Sequence, residues 1–389
     1  MNGLVRNLFD LLSPTNIYYL KSFSQIGVHD DFIKAMNELG IEIPTQIQEE
    51  AIPFLLSKDE DFIGQAQTGS GKTAAFVLPL LHKVDHTKGE IQALILSPTR
   101  ELCKQIAKQI FRLTKYSIKI YAESVYGGEK IDIQIQALKR PTQIVVATPG
   151  RLIDLLHQKA LTLDHIEYVI LDEADEMLSM GFREELNKIL DATPKEKSVW
   201  LFSATMPQGI KQIVSKYLST DAKKVTVDID QRINERIEHQ YLICEHASRM
   251  KHLINFIKFQ GDKRAIIFCK TKMTANKVCE NLLEKKYKAG AIHGDLQQRE
   301  RDKVMRAFRN EKVQLLIATD ISARGIDVKD LAYVVHYELP DKIEYYTHRS
   351  GRTARAGKKG ISLAFISSSE IRDLRHVESK LRIKFRNIG

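Results

Sequence analysis

Short apolar runs, many of them rich in β-branched residues, recur along the chain between longer amphipathic stretches. In the first half the runs are Phe62-Ile63, Ala93-Leu94-Ile95-Leu96, Ile144-Val145-Val146-Ala147, Tyr168-Val169-Ile170-Leu171 and Val199-Trp200-Leu201-Phe202. Several are apolar throughout instead of alternating, the pattern of parallel strands buried on both faces. The stretches between them supply helices for right-handed crossovers. The pattern predicts a doubly wound α/β domain whose ligand loops lie at the C-terminal ends of the strands. Residues 219–235 are polar and lack helical spacing. From Ile237 the alternation restarts, with candidate strands over 240–243, 265–268, 289–292, 315–318 and 333–335. Two parallel-sheet domains are therefore expected, over 21–218 and 237–389, joined by a linker over 219–236. Upstream of the first strand, Phe32, Ile33, Met36 and Leu39 have helical spacing and Gly40 ends that helix. Ile43-Pro44-Thr45 leads into a second helix over 46–56, with Thr45 as its N-cap.

Composition agrees with this plan. A chain of 389 residues is long for one core and ordinary for two. With 43% hydrophobic and 28% charged residues it reads as soluble and globular. No apolar run approaches the roughly 20 residues that span a bilayer. Residues 1–20 contain Arg6 and Asp10 and lack a signal-peptide pattern, so they read as a short extension. Cys103, Cys244, Cys269 and Cys279 are scattered without a C-x-x-C pair, which argues against a structural zinc or a disulfide framework and for a cytoplasmic setting. The net charge of +10 is uneven. Residues 1–230 carry 26 Lys and Arg against 30 Asp and Glu, whereas residues 231–389 carry 33 against 19. A basic second half suits a polyanion such as nucleic acid, although solvated surface lysine gives the same count.

Candidate chemistry sits at the predicted strand ends. Ala66-Gln67-Thr68-Gly69-Ser70-Gly71-Lys72-Thr73 follows the first strand and opens a helix. The glycines let backbone N–H groups approach phosphates, and the helix N-terminus adds its positive dipole end. Lys72 would reach the β- and γ-phosphates of a nucleoside triphosphate, and the Thr73 hydroxyl would ligate Mg²⁺. Ala66 stands where the general pattern has glycine. Asp172-Glu173-Ala174-Asp175 follows the strand ending at Leu171. Asp172 would hold the metal and Glu173 would orient and deprotonate the attacking water. Ser203-Ala204-Thr205 ends the next strand. Gln48 offers both a donor and an acceptor, as the edge of adenine requires. In the second half, His348-Arg349-Ser350-Gly351-Arg352-Thr353-Ala354-Arg355 places three arginines within seven residues. Guanidinium groups aimed at a γ-phosphate would stabilise its transition-state charge and put ATP between the two domains.

Taken together and in order, these motifs resemble those of the DEAD-box ATP-dependent RNA helicases, over about residues 23–384. The resemblance implies two tandem RecA-like domains and an RNA-stimulated ATPase that opens a few base pairs when ATP and RNA close the domains. The loop with Ala66 is the family's own P-loop variant. The adenine-reading element resembles residues 40–48, with Phe23 as the upstream aromatic and Ile41 where the family usually has an aromatic. RNA-contacting elements resemble Pro98-Thr99-Arg100-Glu101-Leu102, Gly127-Gly128 and Thr148-Pro149-Gly150-Arg151 in the first domain. In the second they resemble Phe268-Cys269, Gln298 with Arg301, and Thr319-Asp320. Such groups meet phosphates and 2′-hydroxyls, so RNA binding would be sequence-tolerant. Gly325 and Asp327 resemble the nucleotide contacts of Ala323-Arg324-Gly325-Ile326-Asp327. Arg352 and Arg355 resemble the arginine fingers. Ser203, Thr205, Asp175 and His348 resemble the residues that couple hydrolysis to strand separation. Ser350 stands where the family more often has Ile or Thr. A monomeric core, with protein cofactors as possible partners, fits this reading. Two alternatives stay open at this stage: an ATP-gated RNA clamp, and a P-loop ATPase acting on DNA.

Overall fold

The apolar runs form two seven-stranded sheets in which every pairing is parallel. The computed structural model describes residues 21–67, 69–227, 236–323, 331–354 and 359–389. The first sheet contains β1 (Phe62–Gln65), β2 (Ala93–Leu96), β3 (Ala122–Val125), β4 (Ile144–Ala147), β5 (Tyr168–Leu171), β6 (Ser198–Ser203) and β7 (Lys223–Thr226), in the order β3-β4-β2-β5-β6-β1-β7. The second contains β8 (Ile237–Ile243), β9 (Ala265–Cys269), β10 (Ala289–Ile292), β11 (Leu315–Thr319), β12 (Tyr333–His336), β13 (Gly360–Ile366) and β14 (Arg386–Asn387), in the order β10-β11-β9-β12-β13-β8-β14.

Because side chains alternate along a strand, an apolar run fills a core on each side of the sheet. Ile95, Ile144, Val146, Ile170, Trp200 and Phe202 share one core with Met36, Ile47, Phe76 and Ile106 from the helices on that face. Leu94, Leu96, Val145, Val169 and Leu201 share the other with Leu152, Leu186 and Ile210. Side chains as large as Trp200 and Phe202, fully buried, each contribute roughly 2–3 kcal/mol through removal of apolar surface from water.

Three strands of four or more residues were not foreseen. β3 reads Ala-Glu-Ser-Val and buries only Val125 fully. β7 lies inside the segment expected to be linker. It pairs with β1 at the sheet edge, and only Val225 is buried among exposed lysines. Residues 219–227 thus belong to the first sheet and its approach, and residues 228–235 of the expected linker lie outside the described residues. β13 follows the basic cluster directly and sits between β12 and β8.

The strand order of the first sheet sorts its loops. β5, β6 and β1 are neighbours, and Gln65 lies level with Ser203. The loops after these strands are the P-loop, Asp172–Asp175 and Ser203–Thr205. β2, β4 and β3 are neighbours on the other side, with Leu96 level with Ala147 and Ala147 with Val125. Their loops carry Pro98–Arg100, Thr148–Arg151 and Gly127-Gly128. One parallel sheet therefore presents two adjacent sets of groups at one edge.

Candidate active-site cleft

The P-loop is built by glycine where side chains cannot fit. Gly69 and Gly71 have φ of 86° and 95°, in the left-handed region that favours glycine. A Cβ on Gly71 would lie 2.5 Å from Gln48 Nε2 and 2.8 Å from Thr45 Oγ1. Gln48 is buried, and its amide is used at both ends: Nε2 donates to the Gly71 carbonyl at 2.9 Å and Oε1 accepts from Thr45 N at 2.9 Å. It thereby fastens the helix Gln46–Ser57 to the phosphate loop. One amide N–H and one lone pair remain for a base edge. Ile41 is half-buried, and Phe23, at 2% exposure, is part of the first core instead of lining an open face.

Lys72 opens the helix Lys72–Lys83 and is 6% exposed. Its Nζ donates to the carbonyls of Ala66 at 2.6 Å and Gln67 at 3.1 Å. Thr73 lies in the first turn. The Ser70 hydroxyl is buried without a hydrogen-bond partner, as expected of a group awaiting an anion. Asp172 is 2% exposed. Burial pushes its carboxyl up to about 7, and the neighbouring Glu173 charge adds to this while Lys72 opposes it. A cation at this point would restore the carboxylate. Glu173 adopts φ 51° and ψ 50°, a left-handed conformation unusual for a side chain of this size. Among the described residues no group of three or more His, Cys, Asp and Glu converges as a metal cluster. A hard divalent cation on Asp172 and Thr73 would draw its other ligands from phosphate and water.

Asp175 joins the neighbouring strand end directly. Its Oδ2 accepts from Thr205 N at 2.8 Å and from Thr205 Oγ1 at 2.7 Å. Ser203 Oγ accepts from Asp175 N at 3.3 Å and donates to the Thr205 carbonyl at 2.7 Å. The acidic loop and the Ser203–Thr205 loop are thus tied directly to each other.

On the other half of the edge, Thr99 caps the helix Arg100–Leu113 by accepting from Leu102 N, and Pro98 before it is buried. Gly128 has φ 84°, and a Cβ there would collide with the Arg100 guanidinium. Thr148 is the N-cap residue of Pro149–His157. Arg151 in that helix donates to Gln134 Oε1 at 2.9 Å and to the Glu129 carbonyl at 3.0 Å. These bonds hold the Gly127-Gly128 turn and the Thr148–Arg151 turn together.

The second domain meets the first across a cleft. Arg301 Nη2 lies 2.9 Å from Glu101 Oε1, with side-chain exposures of 9% and 15%. Lys104 and Asp302 are 3.7 Å apart and more exposed, and Ser179 Oγ lies 3.1 Å from Tyr345 OH. Arg301, expected at RNA, is here a cross-cleft partner of the Pro98–Leu102 element. Thr319 ends β11, and its N and Oγ1 bond Ser322 Oγ at 3.1 and 3.0 Å. The arginines of the basic cluster are not equivalent. Arg349 is 1% exposed and grips Asp320 through Nε at 2.6 Å and Nη2 at 2.7 Å. Arg352 is half-buried just beyond the helix Ile343–Ser350, which also carries His348. Thr68, Gly325, Asp327 and Arg355 lie outside the described residues, and Gln298 begins the helix Gln298–Arg309.

Sequence reasoning missed Glu101 as a cross-cleft group and Arg349 as a buried tie. The adjacency of Asp320 to Thr319 was the one signal for the second, whereas Glu101 and Arg301 are joined only by the fold.

A P-loop sheet facing a second parallel sheet with an arginine-bearing helix defines a tandem RecA-like nucleoside triphosphatase. The family model described as DEAD/DEAH box helicase matches residues 45–213, and that described as helicase conserved C-terminal domain matches residues 248–357. The chain is 44% identical to the RNA helicase CrhR of Synechocystis, over 93% of this chain and 73% of that one. It belongs to the DEAD-box ATP-dependent RNA helicases. A DEAD box protein from Methanococcus jannaschii is 41% identical and superposes with a TM-score of 0.55 over 95% of this chain and 99% of that one. Dbp5 of S. cerevisiae bound to RNA and ADP BeF3 is 30% identical, yet superposes with a TM-score of 0.84 over 95% of each chain. The better superposition on the less identical protein places the two domains here much as they lie in that complex.

Proposed function

We propose that this chain hydrolyses ATP in response to RNA and locally separates short RNA duplexes or remodels RNA–protein complexes. What carries the reading is the Arg301–Glu101 contact: it closes the second domain onto the very element, Pro98–Leu102, that lies beside the phosphate-binding half of the first sheet. Closure that needs both ligands would bend one RNA strand in a way a duplex cannot follow.

In this reading Thr45, Gln48 and Ile41 seat adenine, and the amides of residues 68–71 cradle the phosphates. Lys72 holds the β- and γ-phosphates. Glu173, fixed by its left-handed backbone, orients the attacking water and takes its proton. Arg352 and Arg355 approach the γ-phosphate from the second domain, and Gly325 and Asp327 meet the ribose. Asp172 and Thr73 would hold Mg²⁺, which would supply positive charge opposite the transferred phosphoryl group. Asp175, Ser203, Thr205 and His348 pass the state of the γ-phosphate to the RNA groups: Thr99, Arg100, Gly128, Thr148, Arg151, Gln298 and Thr319. We assign the domains to residues 21–227 and 237–389 and place the working unit as a monomer in the cytoplasm. Four buried, unpaired thiols suit a reducing compartment. Among the described residues no helix is long and apolar enough to cross a membrane.

The test is steady-state ATPase and displacement of a short RNA duplex. RNA should stimulate hydrolysis and DNA of the same sequence should not. Glu173→Gln should keep nucleotide binding while turnover falls by about 10³-fold, the order of loss expected when a catalytic proton acceptor is removed. Unwinding that proceeds unchanged in Glu173→Gln would remove the assigned role, and long RNA residence without any displacement would favour the clamp.

A further inference from the structure

A buried polar cluster lies beneath the helix Ile343–Ser350, with the ring of Phe268 6.4 Å from that of its central histidine. At its centre is His336, the last residue of β12 and 0% exposed. Its ring stacks on Tyr346, with centroids 4.5 Å apart and planes 13° from parallel. His336 Nε2 lies 3.0 Å from Ser362 Oγ of β13 and 3.3 Å from Ser350 Oγ, and the two hydroxyls are 2.9 Å apart. His336 Nδ1 lies 3.5 Å from Nη1 of Arg349, which also donates to the Glu338 carbonyl at 2.9 Å.

The donors decide the tautomer. A guanidinium can only donate, so His336 Nδ1 accepts and Nε2 carries the proton toward the two serines. A second proton would set an imidazolium against Arg349 in a water-free site. Burial, and next the Arg349 charge, hold His336 well below its ordinary pKa. The ring is therefore a neutral linker with one donor side and one acceptor side.

What it links follows from the chain. Arg349 grips Asp320, the residue after Thr319 at the RNA-facing end of β11. Ser350 is two residues ahead of Arg352. We propose that His336, paired with Ser350, is a positioning residue that locks the helix leading into Arg352 to the Thr319-Asp320 turn, so that RNA at Thr319 and the γ-phosphate at Arg352 are sensed by one rigid unit. A hydrophobic residue at 350 would leave His336 with the Ser362 hydroxyl alone, and one at 336 would release an edge of Arg349. This inference rests on the RNA-coupled ATPase reading above.

The experiment compares full-length wild type with His336→Leu, Ser350→Ala and Ser350→Thr. It measures kcat at saturating RNA, KM for ATP and thermal melting. His336→Leu and Ser350→Ala should lower RNA-stimulated kcat by about tenfold and about threefold, within the usual range of site-to-site coupling. KM for ATP should stay within about twofold, because neither residue touches nucleotide. Ser350→Thr keeps the hydroxyl and should restore coupling. If His336→Leu does not fold, the contrast between Ser350→Ala and Ser350→Thr decides alone. Variants that melt earlier but keep wild-type RNA-stimulated kcat well below the melting temperature would show a packing role only and overturn the proposal. A wild type that hydrolyses ATP without response to RNA would overturn the function reading, and this inference with it.

Discussion

Severing the Arg301–Glu101 pair should weaken closure more than an ordinary surface ion pair could. At 2.9 Å and an effective dielectric of about 20, the attraction is about 6 kcal/mol. Desolvating two nearly buried ions returns most of this. Arg100 Nε, 3.8 Å from the same carboxylate oxygen, softens the loss on the Glu101 side. A net coupling of about 2 kcal/mol remains, close to thirtyfold in affinity. The assay is a double-mutant cycle with Glu101→Gln, Arg301→Gln and the double variant. It follows the dissociation constant for single-stranded RNA in a non-hydrolysable ATP analogue, with interdomain fluorescence transfer to report closure. Each single substitution should weaken RNA binding by about thirtyfold or more, and the double by much less than their product. Arg301 is also expected near RNA, and the cycle separates that contribution, since direct contact with phosphate is unaffected by Glu101. Should the two singles multiply, with coupling within about 0.5 kcal/mol of zero, the pair does not hold the cleft. Lys104–Asp302 cannot substitute for it, because an exposed pair at 3.7 Å is worth only about 0–1 kcal/mol.

Two further outcomes follow from local geometry. Gly71→Ala places a Cβ at φ 95° and 2.5 Å from Gln48 Nε2. It should cost about 1–2 kcal/mol of stability in urea melts and at least about tenfold in nucleotide affinity by fluorescence titration. His239 is held neutral by burial, its pKa lowered to about 4, and its Nδ1 lies 2.6 Å from Tyr346 OH. Unfolding returns it to about 6.5, so the unfolded chain binds the extra proton between those values. Its contribution is complete above pH 6.5 and is lost as the pH falls toward 4, by up to about 3 kcal/mol. His239→Asn should flatten that part of the stability profile of the second domain, measured by urea melts across pH.

How much of this was legible in the sequence depended on which force shaped each element. The central strands were readable because burial on both faces leaves an unbroken apolar run, as at Ile144–Ala147 and Tyr168–Leu171. β7 was not. A sheet edge needs one buried side chain, so Lys-Lys-Val-Thr reads as linker. β13 was hidden for another reason: Ser362 interrupts its apolar run, and that hydroxyl is wanted by the His336 cluster. The P-loop, Asp172–Asp175 and Ser203–Thr205 were legible because each is a contiguous motif at a strand end. The bonds from Asp175 to Thr205 confirm their adjacency. Phe23, expected as the upstream aromatic of the adenine-reading element, packs in the first core at 2% exposure, a setting that its isolation in the sequence did not reveal.

The non-equivalence of the clustered arginines shows why spacing alone could not assign them. On the helix Ile343–Ser350 a step of three residues is nearly a full turn, which would put Arg349 and Arg352 on one face had the helix continued. It ends at Ser350, and Gly351 turns the chain. Arg349 therefore points into the domain, where two oxygens of Asp320 and the ring of Phe268, 5.1 Å from its guanidinium, surround it. Arg352 lies past the helix end and is half-buried. A planar, bidentate guanidinium suits the inner position because Asp320 fixes its plane, and a lysine could not satisfy both oxygens and the Glu338 carbonyl with that geometry. The same residue type thus occupies a buried anchoring position and a half-buried one, and the helix end decides which is which.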